Sequence, residues 1–170
     1  DASYKDDKAY CAAVIFDKDL KEIEKACVVL NVSTTYIPGL FMLREATPIL
    51  KTLKKIKKKF DVLMVDGHGQ LHPRKCGLAC YVGLTVDTPT IGVAKRLLCG
   101  KVKKDSKVEL AGKVLGCQVS HKNKKIYVST GHKISLKTAV RLVQKFTRRG
   151  SWYPEPLRMA DFYSKNISKK

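Results

Sequence analysis

The stretch FDVLMV (60–65), closed by Asp66 and followed at once by GHGQLHPR (67–74), limits the fold more than any other part of the chain. A short continuous apolar run suits a strand buried on both faces, the kind found in parallel sheets. Gly67 and Gly69 mark a turn whose backbone can take positive φ and let another group approach without Cβ interference. His72 then reads as a helix N-cap with Pro73 at the first helical position. A second apolar run, TIGVA (90–94), supplies the next strand, so this part of the chain is expected to be a strand–helix–strand unit. In open α/β sheets, binding sites form outside the carboxyl ends of the parallel strands. Asp66 ends such a strand.

Upstream the pattern is different. DASY (1–4), AYCAAVIF (9–16) and KACVVLNV (25–32) are strand-like runs separated by the polar turns Lys5–Lys8 and Asp17–Asp19. They predict an antiparallel meander of three strands. From Met42 the period changes: Leu43, Ala46, Ile49, Leu50, Leu53, Ile56 and Phe60 recur at helical spacing. Pro48 belongs in a first turn, which places the helix start near Glu45. Lys51, Lys54, Lys55, Lys57, Lys58 and Lys59 fill the other face, either as a solvated surface or as part of a nucleic-acid groove. Downstream, 101–107 reads as a basic loop, 113–119 and 125–130 as a hairpin around Lys122-Asn123, and 136–146 as a helix. Residues 165–170 read as a polar, frayed tail. Three antiparallel strands followed by helix, strand, helix and strand is the order of the ribonuclease H-like α/β fold, a central mixed sheet flanked by helices. One domain spanning residues 1–170 is expected.

Charge narrows the partners. Thirty-four Lys and Arg against fifteen Asp and Glu give a net charge of +19, and a domain this basic suits a polyanion whose phosphates it neutralises. No apolar run approaches the roughly 20 residues that span a bilayer, and no basic amphipathic helix carries an aromatic insertion face. Nucleic acid, rather than a membrane, is the expected partner. The six cysteines include no C-x-x-C pair and read as reduced residues of an intracellular, cytoplasmic protein, with a structural disulfide as the alternative.

On such a basic chain, three acids occupy costly places. Asp66 closes a buried strand, Glu45 shares a helix face with Ile49 and Leu53, and Asp1 precedes a strand expected beside that of Asp66. Taken singly, Asp66 can cap a turn and Glu45 can pair with Arg44 or a lysine. Taken together, interior carboxylates suit a shared cation, and hard oxygen ligands favour Mg²⁺ or Mn²⁺ over zinc.

Four long motifs, TTYIPGLFMLRE (34–45), VDGHGQLHPRKCGLA (65–79), PTIGVAK (89–95) and STGHKISLKTAVRL (129–142), closely resemble the endonuclease V family, in that order. DASY and PEPLRMAD (154–161) fit the family's first strand and C-terminal segment. The resemblance implies a Mg²⁺-dependent endonuclease, with Mn²⁺ as a second supporting ion. It would nick nucleic acid near hypoxanthine at the second phosphodiester 3′ to the lesion, leaving 3′-hydroxyl and 5′-phosphate ends. By motif, Asp1 and Asp66 would hold the metal and Glu45 would complete the acidic set. His132 would orient the nucleophilic water, and Lys95 would offset phosphate charge. Tyr36, Ile37, Pro38 and Gly39 would form a wedge. Gly39, Leu40, Gly67, Gly69 and His72 would receive the flipped base. His68 takes no role and is expected at the surface.

The chain departs from the family at Tyr81, where several relatives carry histidine. Relatives also run upstream of the DASY-like segment, so further residues are expected before Asp1. The protein is expected to act as a monomer on inosine-containing DNA. The competing readings are an inosine-specific endoribonuclease, a structure-specific nuclease of the same fold, and a binding module without catalysis. The last explains the charge but not the interior acids.

Overall fold

The computed structural model describes residues 1–31, 41–167 and 169. The proposed wedge and pocket residues Tyr36, Ile37, Pro38, Gly39 and Leu40 lie outside them. The chain forms two compact units, Asp1–Phe60 with Glu155–Lys170, and Asp61–Pro154.

The first unit holds the expected meander: β1 (Ala2–Lys5), β2 (Lys8–Phe16) and β3 (Glu22–Asn31), paired antiparallel in that order. Asp6 and Asp7 both take positive φ, 49° and 57°, which is what a two-residue hairpin needs to follow the strand twist. At the next turn the Asp17 carboxylate accepts from the backbone N–H of Asp19 and of Lys21, each at 2.9 Å.

Helix α1 (Phe41–Leu53) differs from expectation at both ends. It begins before Glu45, so Pro48 sits in its interior, a placement that typically costs about 3 kcal/mol. The buried stripe Glu45, Ala46, Pro48, Ile49 and Thr52 offsets that cost through packing. The helix also stops well short of Phe60. The reason lies on β3: the Glu24 carboxylate takes the backbone N–H of Lys57 and of Lys58, each at 2.8 Å. Those amides are thereby removed from any helical ladder.

Helix α4 (Glu155–Ile167) completes this unit and packs on β2. Glu155, buried in its first turn, receives Arg158 through two contacts of 2.8 and 2.7 Å. Tyr163 donates to Glu22 at 2.9 Å and carries the Lys25 ammonium 4.2 Å above its ring. Of the expected frayed tail 165–170, the helix includes residues through Ile167, and Lys165 is paired with Asp161 at 2.7 Å.

In the second unit β4 (Leu63–Asp66) runs parallel to β5 (Thr90–Ala94), joined through α2 (Leu78–Val86). The sheet continues antiparallel through β6 (Lys101–Val102), β7 (Lys107–Leu110), β8 (Lys113–His121) and β9 (Lys124–His132), in the spatial order β4-β5-β9-β8-β7-β6. Helix α3 (Leu136–Lys145) packs on β9 and β8, with Ser135 accepting from the Thr138 N–H as its cap.

Three expectations change here. The strand buried on both faces is β5, every residue of which is buried, whereas β4 ends the sheet and buries only Val65. His72 is not a helix cap, because α2 starts at Leu78 behind Gly77. The intervening backbone is spent on loop bonds instead: Gly77 N–H to the Gly69 carbonyl and Ala79 N–H to the His68 carbonyl, both at 3.0 Å. The supposed loop 101–107 contains β6 and the start of β7.

Candidate active site

Because β4 and β5 are parallel, their carboxyl ends lie on the same side of the sheet. Asp66 stands in register with Val93, and Lys95 follows the last residue of β5. The Lys95 ammonium donates to Asp66 Oδ2 at 2.8 Å, with the two side chains 41% and 19% exposed, open enough for a ligand to reach them. The same ammonium lies 4.8 Å from the ring centre of buried Tyr153, a cation–π contact that holds it over this end.

The loop after Asp66 is pressed onto the sheet. Gly69 donates to the Ser129 hydroxyl at 2.8 Å, and Gln70 to the Thr130 carbonyl at 2.7 Å. A Cβ on Gly69 would stand 2.1 Å from the Thr130 carbonyl oxygen, and one on Gly92 would stand 2.4 Å from the Gly69 nitrogen. Gly69 is therefore required by close approach and not, as expected, by positive φ.

His68, expected at the surface, is half-buried. Its Nε2 lies 3.0 Å from the Arg96 carbonyl, which can only accept, so Nε2 carries the proton. That bond ties the loop to the residue following Lys95. Burial pushes the His68 imidazole below its ordinary value. His72 is half-buried; burial and then the Arg74 charge lower its pKa, and Nδ1 accepts from the Arg74 N–H at 3.2 Å.

His132 is elsewhere. It is in register with Thr90, at the opposite end of β5 from Val93 and Asp66. Strand rise puts these levels about 10 Å apart, and two strand spacings add about 10 Å sideways, so the two backbones are about 14 Å apart. His132 Nε2 instead meets Asp87 Oδ1 at 3.1 Å, where Lys133 also binds at 2.6 Å. Strand direction thus sets His132 at a different level of the sheet from Asp66.

In the first unit, Glu45 is 7% exposed on α1. Burial, and then the Glu45 charge, hold the Tyr4 phenol well above its ordinary value. The Arg44 guanidinium lies 4.4 Å from the Tyr4 ring centre. Asp1 pairs with Ala12 in both directions through its backbone, at 3.0 and 2.9 Å.

Among the described residues no three His, Cys, Asp or Glu gather in a metal-holding group. Magnesium does not require such a cage. It is commonly held by one or two carboxylates, its own waters and substrate phosphate. A partly open Asp66 carboxylate is compatible with that kind of hard-cation site.

Sequence reasoning overlooked Gly92, Ser129 and Tyr153, which shape and fix this end. Gly92 was detectable: a glycine inside an otherwise apolar strand often marks close backbone approach.

The Endonuclease V family model matches residues 1–162. An endonuclease V of Thermofilum pendens is 44% identical over 171 residues, covering 96% of this chain and 74% of the relative. The crystal structure of endonuclease V from Streptomyces avermitilis superposes with a TM-score of 0.89 at 30% identity, covering 99% of this chain and 79% of that one. The Ciona intestinalis enzyme, solved with a 24mer DNA containing an inosine followed by a ribo-adenosine, gives 0.86 at 28% identity, with coverage of 99% and 84%. These matches bear out the ribonuclease H-like fold and phosphodiester hydrolysis as the activity. The chain belongs to the endonuclease V family.

Proposed function

We propose that this chain is a metal-dependent endodeoxyribonuclease that nicks DNA near deaminated adenine, cutting the second phosphodiester 3′ to the lesion in DNA repair. The observation that carries the reading is the Asp66–Lys95 pair at the carboxyl ends of parallel strands, beside a loop that lies directly on the sheet. Family membership supports the reaction class. The Ciona relative solved with inosine-containing DNA supports the lesion.

Asp66 is the carboxylate proposed to hold the metal. Asp1 and Glu45 join it on the strength of their positions in the family motifs. When bound, Mg²⁺ supplies polarisation of the phosphate and a water of lowered pKa; Mn²⁺ is proposed as a substitute. Lys95 offsets negative charge on the phosphate, since an ammonium already bound to the carboxylate end of β4 needs little rearrangement to meet an anion there. The Gly67–His72 loop forms one wall for the extruded base, with the neutral His72 imidazole able to donate or accept. Tyr36, Ile37, Pro38 and Gly39 are assigned the wedge, and Gly39 and Leu40 a share in receiving the base, by motif alone. His132 receives no part, because its level in the sheet is wrong for the Asp66 end.

One gel tests this: single-inosine DNA, its adenosine control and single-inosine RNA, each with Mg²⁺ and with EDTA. Cleavage of the inosine DNA alone, dependent on metal, is the expected result. Preferential cleavage of the RNA would make the chain an endoribonuclease. Metal-independent binding without cleavage would make it a binding module.

A further inference from the structure

Between Glu109 and Glu155 the sequence contains no Asp or Glu, yet it carries ten Lys and Arg. This run builds all of β8, β9 and helix α3. On α3, Ala139 and Val143 are fully buried against the sheet. Lys137, Arg141 and Lys145 are all exposed on the outer side. Their i, i+4, i+8 spacing places cations about 6 Å apart along a stripe about 12 Å long. No carboxylate among the described residues forms an ion pair with any of the three.

Helix stability does not account for this arrangement. Like charges at i, i+4 repel. Lys137 sits in the first turn, where the helix dipole favours an acid, and the helix has none there. The basic run 51–59 is a different case, because its neighbouring Glu24 binds the amides of Lys57 and Lys58.

We propose that the outer face of α3 is a docking surface for the sugar–phosphate backbone of nucleic acid, independent of base identity and separate from the Asp66 end. It rests on the nuclease reading only for the class of its ligand. Three unpaired cations in a row, in an acid-free segment, match a polyanion with regularly spaced charges. The surface holds undamaged flanking duplex while the Asp66 end of the unit meets the lesion.

The test measures binding of an undamaged duplex in EDTA by fluorescence anisotropy between 50 and 200 mM salt. The full chain is compared with the Lys137→Gln/Arg141→Gln/Lys145→Gln variant and with a charge-matched Lys54→Gln/Lys55→Gln/Lys59→Gln variant. Each lost phosphate contact lowers the slope of log affinity against log salt by about 0.9. The α3 variant should lose about 2–3 from that slope and the comparator less than about 1. Equal losses would mean that net charge alone matters, and no loss in the α3 variant would remove the surface; either result overturns the proposal. So would an effect confined to vesicles containing anionic lipid, which would give the face to a membrane. Single Lys137→Gln and Arg141→Gln changes, each expected to remove about 1 from the slope, carry the test if the triple variant does not fold. Because the duplex lacks inosine and metal is withheld, failure of the cleavage assay leaves this result intact, and the converse also holds.

Discussion

The two ends of the sheet in Asp61–Pro154 each pair one acid with a lysine, and their surroundings differ. At the carboxyl end of β4, Asp66 is 19% exposed and its partner Lys95 is held over the Tyr153 ring. The adjoining loop lies so close to β5 and β9 that no side chain fits at Gly69 or Gly92. At the other end Asp87 is 71% exposed, sits at the left-handed C-cap of α2, and takes both His132 and Lys133 on one oxygen. An ion pair alone does not mark a catalytic site. Fixed backbone, partial desolvation and the strand end on which the pair stands distinguish the first pair, proposed as catalytic, from the second.

The largest expected effect tests the first end directly. Asp66→Asn keeps the shape and removes the charge, so it should lower single-turnover cleavage of inosine DNA by about 10³-fold or more, several kcal/mol of barrier. Binding in EDTA should hold, since the basic surface is untouched. Near-normal cleavage in Mg²⁺ would dissolve the contrast between the ends. Next is Lys95→Met, which removes one charged donor and should cost about 10²-fold in the cleavage rate. A matched His132→Ala should change that rate by less than about threefold. If His132→Ala costs as much as Lys95→Met, the sheet register has misled the assignment.

Gly69→Ala examines the packing rather than the charge. The added methyl has backbone, not a flexible side chain, 2.1 Å away. Such overpacking typically costs about 1–3 kcal/mol, readable as a lower midpoint in urea with an unchanged slope. An unaltered midpoint would show that the loop is loosely held and that Asp66 owes nothing to it.

The contrast also shows what was legible beforehand. The meander, the parallel pair, the β8–β9 hairpin and α3 follow from alternation, apolar runs and helical period, which are local properties of the sequence. Asp66 and Lys95 were visible because strand ends and motif positions are one-dimensional facts. The position of His132 was not, because it depends on β9 running antiparallel to β5, a pairing between residues far apart in the chain. Glu24 stopping the lysine-rich end of α1 is also non-local, with 33 residues separating donor and acceptor. The close approach at Gly69 depends on Thr130 and on Ser129, the latter 60 residues away. What the sequence left open was decided by contacts across such distances.

The smallest effect belongs to the second end. Lys133, first, and then His132 hold the Asp87 carboxyl below the ordinary carboxylate range. A folded value below the unfolded one, about 3.9, means the unfolded chain binds the proton more readily. The pair's stabilisation is therefore complete above that unfolded value and disappears as pH falls through the folded one. Asp87→Asn should lower Tm slightly at pH 7, and the gap from the parent should close as pH falls below the unfolded value. Added salt should narrow the gap at neutral pH, because exposed charges are screened within about 8–10 Å. A gap that persists in strong acid, or that ignores salt, would mean Asp87 acts through its backbone turn at the end of α2 and not through its charge. In that case the two ends would differ in the kind of interaction they use as well as in its setting. Cleavage should be unchanged by Asp87→Asn at every pH where the protein is folded, since neither Asp66 nor Lys95 touches it.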